Sequence, residues 1–464
     1  MTEKKIFNLI FKISKASKTD VYVVGGYVRD QILKKELSKD IDFVVLGSGL
    51  EFAKLFDKEM KEEGSLVEFP EFDTARYVLD DFDIEFAGAR SEKYDKKSRK
   101  PEVSPASLET DLSRRDFTVN AMARKVLSKG LGKVVDPYDG KSDIKNKLLK
   151  TPLDPDITFF DDPLRMMRAV RFASQLDFTI DKNVLESIER NAKRLKIISA
   201  ERIKEELFKI LATNKPSIGL WLLHGTKLLD QFLPEASDLA GVEEVKGYTH
   251  KDNLSHTFAV VDNIAEQTDK VLLRFAGLLH DIAKPQTKKF VSGRGWTFDM
   301  HEHLGKKMVY DISKRLKLSK DEGKYVGKLV RWHLQPIALM DDGITDSPVR
   351  RLVVNLQGEL NDLLILCRGD ITTGNQNKKV KRLKNYDMLE KRIAEVLEKD
   401  KLREFQSPLR GEEIMKLCGL KPGPVVGIIK KEIERAILDG EIPNEYEEAK
   451  KYFEKIKKKY VDRV

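Results

Sequence analysis

The sequence predicts an α+β head followed by a remainder built of helices, and three observations lead to this prediction. Between residues 21 and 150, short β-rich runs such as VYVVGG and IDFVVLG are mixed with helical stretches such as LEFAKLFDKEMKEEG. Beyond Thr151 the strand patterns nearly disappear, and long amphipathic patterns such as VLLRFAGLLHDIA follow. The 464 residues exceed the length at which a single core usually stops growing, so roughly two to four domains are expected.

The composition limits the class of protein. Hydrophobic residues make up 41% of the chain and charged residues 35%, which is typical of a soluble protein with real cores. The only two cysteines, Cys367 and Cys418, exclude a disulfide framework and a cysteine-rich metal site. No signal peptide or long apolar run is visible, so we expect a cytoplasmic protein without a membrane partner. The net charge of +9 makes nucleic acid a plausible partner without proving it.

Two aspartates separated by one residue begin the hydrophobic run DIDFVV. Because side chains two positions apart leave the same face of a strand, Asp40 and Asp42 present two carboxylates together while Ile41 enters the core. Like charges at that distance repel unless a cation lies between them. Carboxylate oxygens suit Mg²⁺, which proteins usually hold together with substrate phosphates. We therefore predict a Mg²⁺ site at Asp40 and Asp42.

A glycine pair precedes these aspartates. Gly25 and Gly26 follow the strand-like VYVV and precede the helical VRDQIL. Backbone amides at such a helix start can bind a triphosphate, and Arg29 can add a charge-assisted contact. An Asp-x-Asp sequence alone is ordinary near turns, but the preceding GGYVRD segment makes a functional role the better interpretation.

Four ordered motifs carry a resemblance to a known family. The segment GGYVRD…DIDFVV resembles the first signature of the class II nucleotidyltransferases of the DNA polymerase β superfamily. RRDFTVNAMA, DPYDGKSDI and DDPLRMMRAVRF are similar to three further motifs of that family. The family contains CCA-adding enzymes and bacterial poly(A) polymerases, so the resemblance implies a polymerase β-like head.

The resemblance implies a Mg²⁺-dependent attack of an RNA 3′-hydroxyl on the α-phosphate of a nucleoside triphosphate. Asp40 and Asp42 would hold two metal ions, and Glu85 is preferred over Asp83 as a third acid. Arg115, Asp116 and Asn120 match positions that the family uses for ribose and phosphate contacts. The alternative for these three is a capped helix with salt bridges.

The segment DDPLRMMRAVRF suggests how a base is selected without a template. Three-residue spacing places Asp162 and Arg165 as neighbours near the first turn of a helix. Cytosine and adenine both present an amino donor beside a ring-nitrogen acceptor, which an aspartate and an arginine match. Arg168 and Arg171 could stack on the base or bind phosphates, or could form an arginine ridge against the acids of the head. The family's usual glutamate is Asp161 here, which puts only that residue's orienting role in doubt.

Histidines cluster in the second half of the chain. The segments SHTF, LLHDIAKP, TFDMHEH, VRWHLQP and RGDITT resemble the HD phosphohydrolase superfamily. Imidazole and carboxylate together suit transition metals or Mg²⁺. Such a site can hydrolyse phosphoesters, or the domain can serve only to support tRNA binding. The residues at matching positions are His256, His280, Asp281, His301, His333 and Asp370.

These observations give a four-part plan and one preferred function. We expect a nucleotidyltransferase head at residues 1–150, a helical neck for nucleotide selection at 151–245, an HD domain at 246–375 and a helical tRNA-binding tail at 376–464. The preferred function is addition of C, C and A to the 3′ acceptor end of tRNA from CTP and ATP. No protein partner is inferred.

Two features favour CCA addition over poly(A) or A-only addition. The tail segment SPLRGEEIMKLCGLKPGPVVG resembles that of HD-domain CCA-adding enzymes, and a long polar loop is expected from Glu92 to Asp111. The resemblance implies that this loop switches the enzyme from C to A. Two rivals from other classes stay open: a metal-dependent phosphohydrolase with a degenerate head, and an RNA-binding scaffold.

Overall fold

The computed structural model divides the chain into two compact units, Met1–Ser237 and Asp238–Val464. It describes residues 2–61, 63–79, 81–93, 102–245, 248–249, 252–340, 345–400, 407–419 and 423–461. Among these residues, no helix has both the length and the apolar character needed to cross a membrane. The mixed head and the helical remainder are both confirmed, although three small two-stranded sheets also occur after residue 147.

The head is organised around a seven-stranded sheet with the order β3-β4-β5-β2-β1-β8-β9. Its only parallel pair is β2 with β5; the other neighbours are antiparallel. A separate hairpin pairs β6 with β7. The strands are β1 Val21–Val24, β2 Asp40–Val45, β3 Ser65–Phe69, β4 Thr74–Val78, β5 Asp83–Gly88, β6 Arg90–Lys93, β7 Glu102–Pro105, β8 Ala123–Leu127 and β9 Gly130–Val135. The helices are α1 Glu3–Ser17, α2 Gly26–Leu33, α3 Gly49–Met60, α4 Leu108–Ser113 and α5 Gly140–Lys145.

The expected polar loop from Glu92 to Asp111 is wrong for the described part of that segment. The strands β6 and β7 pair there, and α4 begins at Leu108 with the Ser107 side chain accepting a hydrogen bond from the Thr110 amide. Residues 94–101 lie outside the described residues. Strand pairing satisfies backbone groups that a loop would leave to water, and a polar composition does not exclude it.

An aromatic core lies between α3 and the sheet. Phe43 of β2 stacks on Phe86 of β5 with ring centroids 5.4 Å apart. Phe56 of α3 lies 5.2 Å from Phe86 and 5.1 Å from Tyr77 of β4. All four side chains are almost completely buried. Alternation along β2 and β5 directs these aromatic rings to one face and the acidic side chains to the other.

Seven helices follow in the first unit. The short strands β10 Leu148–Leu149 and β11 Thr179–Ile180 pair in parallel. In α7, eight of the thirteen residues are buried, so this helix forms much of the core here. The helices are α6 Pro155–Asp161, α7 Leu164–Leu176, α8 Lys182–Asn191, α9 Ala200–Leu211, α10 Pro216–Gly225, α11 Leu229–Phe232 and α12 Pro234–Ser237.

Among its described residues, the second unit is mainly helical and has two small antiparallel pairs, β12 Glu244–Val245 with β13 Tyr248–Thr249, and β14 Lys289–Val291 with β15 Gly295–Thr297. Its first helices are α13 Asn253–Ala265, α14 Val271–Leu279, α15 Lys284–Thr287, α16 His301–Arg315, α17 Lys320–Trp332 and α18 Gln335–Ala338. The others are α19 Asp346–Leu356, α20 Leu360–Gly369, α21 Gln376–Asp400, α22 Gly411–Cys418, α23 Pro424–Leu438 and α24 Tyr446–Val461. Of the expected LKPGPVVG element, residues 420–422 lie outside the described residues.

The aromatic core gives a stability prediction. We expect Phe56→Ala to lower the free energy of unfolding by about 3–5 kcal/mol, because it removes a buried ring and leaves a cavity. Phe69→Ala is the control, since that ring is 44% exposed at the edge of the same sheet and its loss should cost less than about 1 kcal/mol. Urea unfolding measures both, and equal losses would contradict this description of the core.

Candidate active site and a second candidate metal centre

The turn between β1 and α2 requires glycine at its first position. Gly25 has a φ of +71°, in the left-handed region that other residues rarely adopt. A Cβ atom there would lie 3.3 Å from Arg115 Nη1 and 3.4 Å from Asp42 Oδ2. Gly25 therefore lets the backbone approach both side chains, and Gly26 begins α2 as the sequence predicts.

Strand pairing sets the positions of the acids. Asp42 lies opposite Glu85 in the parallel β2–β5 register, and Asp40 lies opposite Asp83. Asp83 forms a short ion pair with Arg76. Asp42 and Glu85 instead line one cavity, and this geometry favours Glu85 over Asp83 as the third acid. Asp40 lies on the same strand face but is exposed, and it does not line the cavity.

The acids repel each other in this arrangement. Burial and the neighbouring Glu85 raise the pKa of Asp42 to about 6. Burial raises the pKa of Glu85 as well, with Asp40 adding to the effect and Arg90 opposing it. A divalent cation between these carboxylates would relieve the repulsion, so the acids fit a Mg²⁺ site.

Arginines surround these acids. The cavity has a volume of about 200 Å³ and includes four guanidinium groups. Guanidinium groups match phosphate oxygens in geometry and charge, so acids and arginines together suit a polyphosphate held through a metal ion. The lining residues are Asp42, Phe43, Glu85, Ala87, Arg90, Arg114, Arg115 and Arg165.

A buried polar network joins three of the sequence motifs. Arg29 Nη1 donates to Asn120 Oδ1 at 2.8 Å, and Asn120 Nδ2 donates to Asp116 Oδ1 at 3.1 Å. Arg168 donates twice to Asp116 Oδ2, at 2.8 and 2.6 Å. Burial alone would raise the pKa of Asp116, but Arg168 and Asn120 outweigh burial and lower it to about 2.

Arg29 is part of this network. Its side chain is only 7% exposed and also pairs with Asp30 at 2.8 Å, so it braces the turn after β1. Asp116, Asn120 and Arg168 likewise contact one another. For Asp116 and Asn120 this matches the salt-bridged alternative that the sequence left open.

Asp162 and Arg165 lie as neighbours at the start of α7, near its first turn as the sequence predicts. Asp162 is extended and lies before α7, and its carboxylate accepts hydrogen bonds from the Leu164 amide at 3.0 Å and from Arg202 at 3.2 Å. Arg165 lies in the first turn of α7, lines the cavity and donates to the Thr158 carbonyl at 3.4 Å. Asp162 itself does not line the cavity.

Arg168 pairs with Asp116 of the head, as the ridge alternative expects, whereas Arg171 pairs with an acid outside the head. It donates to Glu206 at 2.6 Å, with only 12% of its side chain exposed, and its guanidinium lies 4.1 Å from the centre of the Phe172 ring. The partner acid belongs to α9 and not to the head. No spacing in the sequence indicates this contact, because it joins two helices.

Sequence reasoning missed several residues of the site. Arg90 and Arg114 line the cavity, and Arg202 holds Asp162. The sequence could have indicated Arg114, because it is the first arginine of the RRDFTVNAMA motif. Arg90 ends a strand-like run with no motif of its own, and Arg202 lies in an ordinary amphipathic helix.

A second cluster lies in the second unit and contains all six predicted HD-type residues. In each of two groups the ligand atoms lie within 4.8 Å of one another, as a shared metal ion requires. One group is His256, His280 and Asp370, and the other is Asp281, His301 and His333.

Asp281 belongs to the second group but also contacts histidines of the first group. Its carboxylate is 3.2 Å from His280 Nε2, 3.2 Å from His301 Nε2 and 3.8 Å from His333 Nε2. Lys284 also forms a short contact with Asp281, a partner that the sequence did not indicate. Burial alone would lower the pKa of His280, but Asp281 outweighs burial and raises it to about 10. Burial and the nearby His280 lower the pKa of His333 to about 4.

Contacts at Nδ1 orient the four histidine rings of this cluster. Each Nδ1 contacts an oxygen outside the cluster, which leaves each Nε2 directed inward as a ligand atom. This arrangement fits a divalent metal centre. The Nδ1 contacts are His256 with Thr372 Oγ1, His280 with the Gly277 carbonyl, His301 with the Phe298 carbonyl and His333 with the Val330 carbonyl.

Comparisons with known proteins match the domains that contain the two sites. Residues 21–150 match the poly A polymerase head domain, residues 177–239 the probable RNA and SrmB-binding site of polymerase A, and residues 253–366 the HD domain. A CCA-adding enzyme of Bacillus stearothermophilus in complex with CTP has the same fold, with a TM-score of 0.67, 21% identity and full coverage of both chains. The chain is thus a nucleotidyltransferase-type head followed by an HD domain.

Curated relatives narrow the class. An A-adding tRNA nucleotidyltransferase of Deinococcus radiodurans is 32% identical over 349 residues, which cover 73% of this chain and 77% of the relative. A multifunctional CCA protein of Burkholderia ambifaria is 32% identical over 315 residues, covering 65% of this chain and 72% of the relative. The chain belongs to the tRNA nucleotidyltransferase family and is an enzyme.

The repulsion at Asp42 gives a pH-dependent prediction. Because the folded state raises the pKa of Asp42 to about 6, above its ordinary 3.8, the ionised carboxylate costs stability above that pH. We expect metal-free Asp42→Asn to be more stable than the wild type by up to about 3 kcal/mol near pH 7, with the difference fading as pH falls to about 4.

Thermal and urea unfolding in EDTA across this pH range measure the difference. Asp81→Asn is the control, since Asp81 is exposed and pairs with Lys39, which lowers the pKa of Asp81, and its loss should not stabilise the fold. Mg²⁺ should stabilise the wild type more than Asp42→Asn. A variant that is no more stable than the wild type in EDTA near neutral pH would contradict the raised pKa.

Proposed function

We propose that this enzyme adds C, C and A to the 3′ end of tRNA from CTP and ATP, without a nucleic-acid template and with Mg²⁺. The observation that carries the proposal is the cavity in which Asp42 and Glu85 meet four arginines, one of which, Arg165, lies in the first turn of α7. The motifs that resemble the class II signatures supply five of the cavity's lining residues, namely Asp42, Phe43, Arg114, Arg115 and Arg165.

The reaction joins the tRNA 3′-oxygen to the α-phosphorus of the triphosphate and breaks the α–β phosphoanhydride bond, releasing pyrophosphate. Asp40, Asp42 and Glu85 would hold Mg²⁺, which neutralises phosphate charge and activates the hydroxyl when bound. Arg114 and Arg115 bind phosphate oxygens and orient the triphosphate for attack.

Base selection rests on Asp162 and Arg165. Cytosine and adenine each offer an amino group to a carboxylate and a ring nitrogen to a guanidinium, whereas uracil and guanine would leave buried groups unpaired. Asp162 already accepts from Leu164 and Arg202, but each carboxylate oxygen can accept two hydrogen bonds, so capacity for the amino group remains. Arg202 holds Asp162 in place for this contact.

A-only addition is the nearest alternative, because relatives of both kinds match the chain. The proposal favours full CCA addition because the Asp162 and Arg165 pair accepts both bases, and because the tail resembles that of HD-domain CCA-adding enzymes. Phosphate and shape contacts would hold the tRNA acceptor arm, so binding should weaken as salt rises.

An incorporation assay tests the choice. Transcripts of tRNA ending before CCA and ending at CC are each incubated with CTP, ATP, GTP or UTP and Mg²⁺. We expect C on the first transcript, A on the second and the complete CCA end with CTP and ATP together. Incorporation of A on the CC-ended transcript with no C on the shorter one would instead assign an A-adding enzyme.

The second cluster supports a second candidate function, a metal-dependent phosphohydrolase. The single observation is the convergence of six ligand groups, two carboxylates and four imidazoles, with the Nε2 atom of each imidazole directed inward. A metal ion held there would polarise a phosphoester and activate water when bound. His256, His280 and Asp370 would hold one ion, and Asp281, His301 and His333 a second or the remainder of a shared site.

The two functions should separate by mutation. We expect Asp40→Ala to reduce nucleotide incorporation by about a thousandfold or more, since metal ligands supply several kcal/mol of transition-state stabilisation. It should leave hydrolysis of 2′,3′-cyclic AMP and bis-p-nitrophenyl phosphate with Mn²⁺ or Ni²⁺ unchanged. His280→Ala should have the opposite effect.

If His280→Ala abolished the main activity while Asp40→Ala preserved it, the head would be only a binding module. If no phosphoester were hydrolysed with any divalent metal, the second cluster would have a structural role only.

A further inference from the structure

We infer that two acids behind the cavity, Asp111 and Glu92, are positioning residues that hold the arginine wall ready for the triphosphate. The inference rests on the proposed nucleotidyl transfer and adds residues to it. Neither acid lines the cavity, yet the described contacts of both side chains are made largely with arginines that do.

Asp111 is fully buried, with none of its surface exposed. Its Oδ1 accepts from Arg114 Nη2 at 2.7 Å and from Arg114 Nε at 3.1 Å, and its Oδ2 accepts from Arg115 Nη2 at 3.3 Å. The Arg90 amide also donates to Oδ1, at 3.4 Å. One carboxylate thus holds two adjacent guanidinium groups and the start of β6.

Glu92 continues the same chain of contacts. Its Oε1 accepts from Arg114 Nη1 at 2.8 Å and from Arg90 Nε at 2.9 Å, and its side chain is only 5% exposed. Arg90 is fixed further by donating to Thr74 Oγ1 at 2.8 Å and to the Phe72 carbonyl. Arginine and acid therefore alternate along the wall, from Arg115 through Asp111, Arg114 and Glu92 to Arg90.

The alternation has a physical purpose. Neighbouring guanidinium groups repel one another, and long arginine side chains lose much conformational freedom when they bind a ligand. Acids placed behind them remove both obstacles before the triphosphate arrives, which is preorganisation of the site. Arg115 Nε is buried and has no acceptor in the described part of the chain, so this side chain keeps a donor unused in the absence of a ligand.

The contacts also predict what the acids do not control. The wall contacts phosphates, whereas Asp162 and Arg165 contact the base. Loss of Asp111 or Glu92 should therefore weaken CTP and ATP to the same degree and leave the choice between the bases unchanged.

Equilibrium binding of CTP and of ATP to the full chain, without tRNA, tests the inference. We expect Asp111→Asn to weaken both nucleotides and inorganic pyrophosphate by roughly 10- to 100-fold, the usual effect of losing a supporting partner behind a ligand-binding group. Glu92→Gln should act in the same direction and provides a second variant if Asp111→Asn does not fold. In turnover, KM for both triphosphates should rise by a similar factor while KM for tRNA stays within about twofold.

Asp143→Asn is the matched control. Asp143 is a buried acid of the same head, and its partners Thr118 and Lys150 do not line the cavity. This variant should lose thermal stability while binding CTP and pyrophosphate like the wild type. Arg114→Ala/Arg115→Ala supplies the second control, since Asp111→Asn should cost almost nothing further in that background.

Two outcomes would overturn the inference. One is a folded Asp111→Asn that binds CTP and pyrophosphate within twofold of the wild type. The other is a further loss in the double-arginine background as large as the loss in the wild type. Failure of the proposed function is separate: the wild type would then add no C to tRNA, whatever the nucleotide-binding experiments gave.

Discussion

The parallel pairing of β2 with β5 is the constraint on which the site in the head depends. Backbone hydrogen bonds fix the register, so Asp42 must lie opposite Glu85 whatever the two carboxylates would prefer. The aromatic core on the opposite face, where Phe43 stacks on Phe86, prevents the strands from slipping, because a shift of one residue would expose those rings. The packing of the core therefore keeps the two acids together although their carboxylates repel each other.

The surrounding residues compensate for this repulsion. Arginines from β6, from the segment after α4 and from α7 reach the same cavity. Acids that do not line the cavity hold three of these arginines in turn, and Asp116 holds Arg168 close by. The second cluster also pairs a buried acid with groups that can carry positive charge: Asp281 contacts histidines and Lys284.

Much of the fold and part of the site could be predicted from the sequence. The alternation in DIDFVV correctly predicts that Asp40 and Asp42 share one strand face. The sequence also indicates all six HD-type residues that the structure brings together. The contacts of Arg29, Arg171 and Asp162 were not predictable, because their partners come from distant segments. Asn120, Glu206 and Arg202 carry no local signal that points to those contacts.

The sequence by itself determined the chemistry: which segments carry acids, histidines and arginines, and on which strand face or helix each side chain begins. Only the tertiary structure decided which charges meet. Local periodicity extends over a few residues and fixes the direction of a side chain. Contacts such as Glu92 with Arg114, or Asp281 with His256, His301 and His333, depend on strand register and helix packing between segments far apart in the chain.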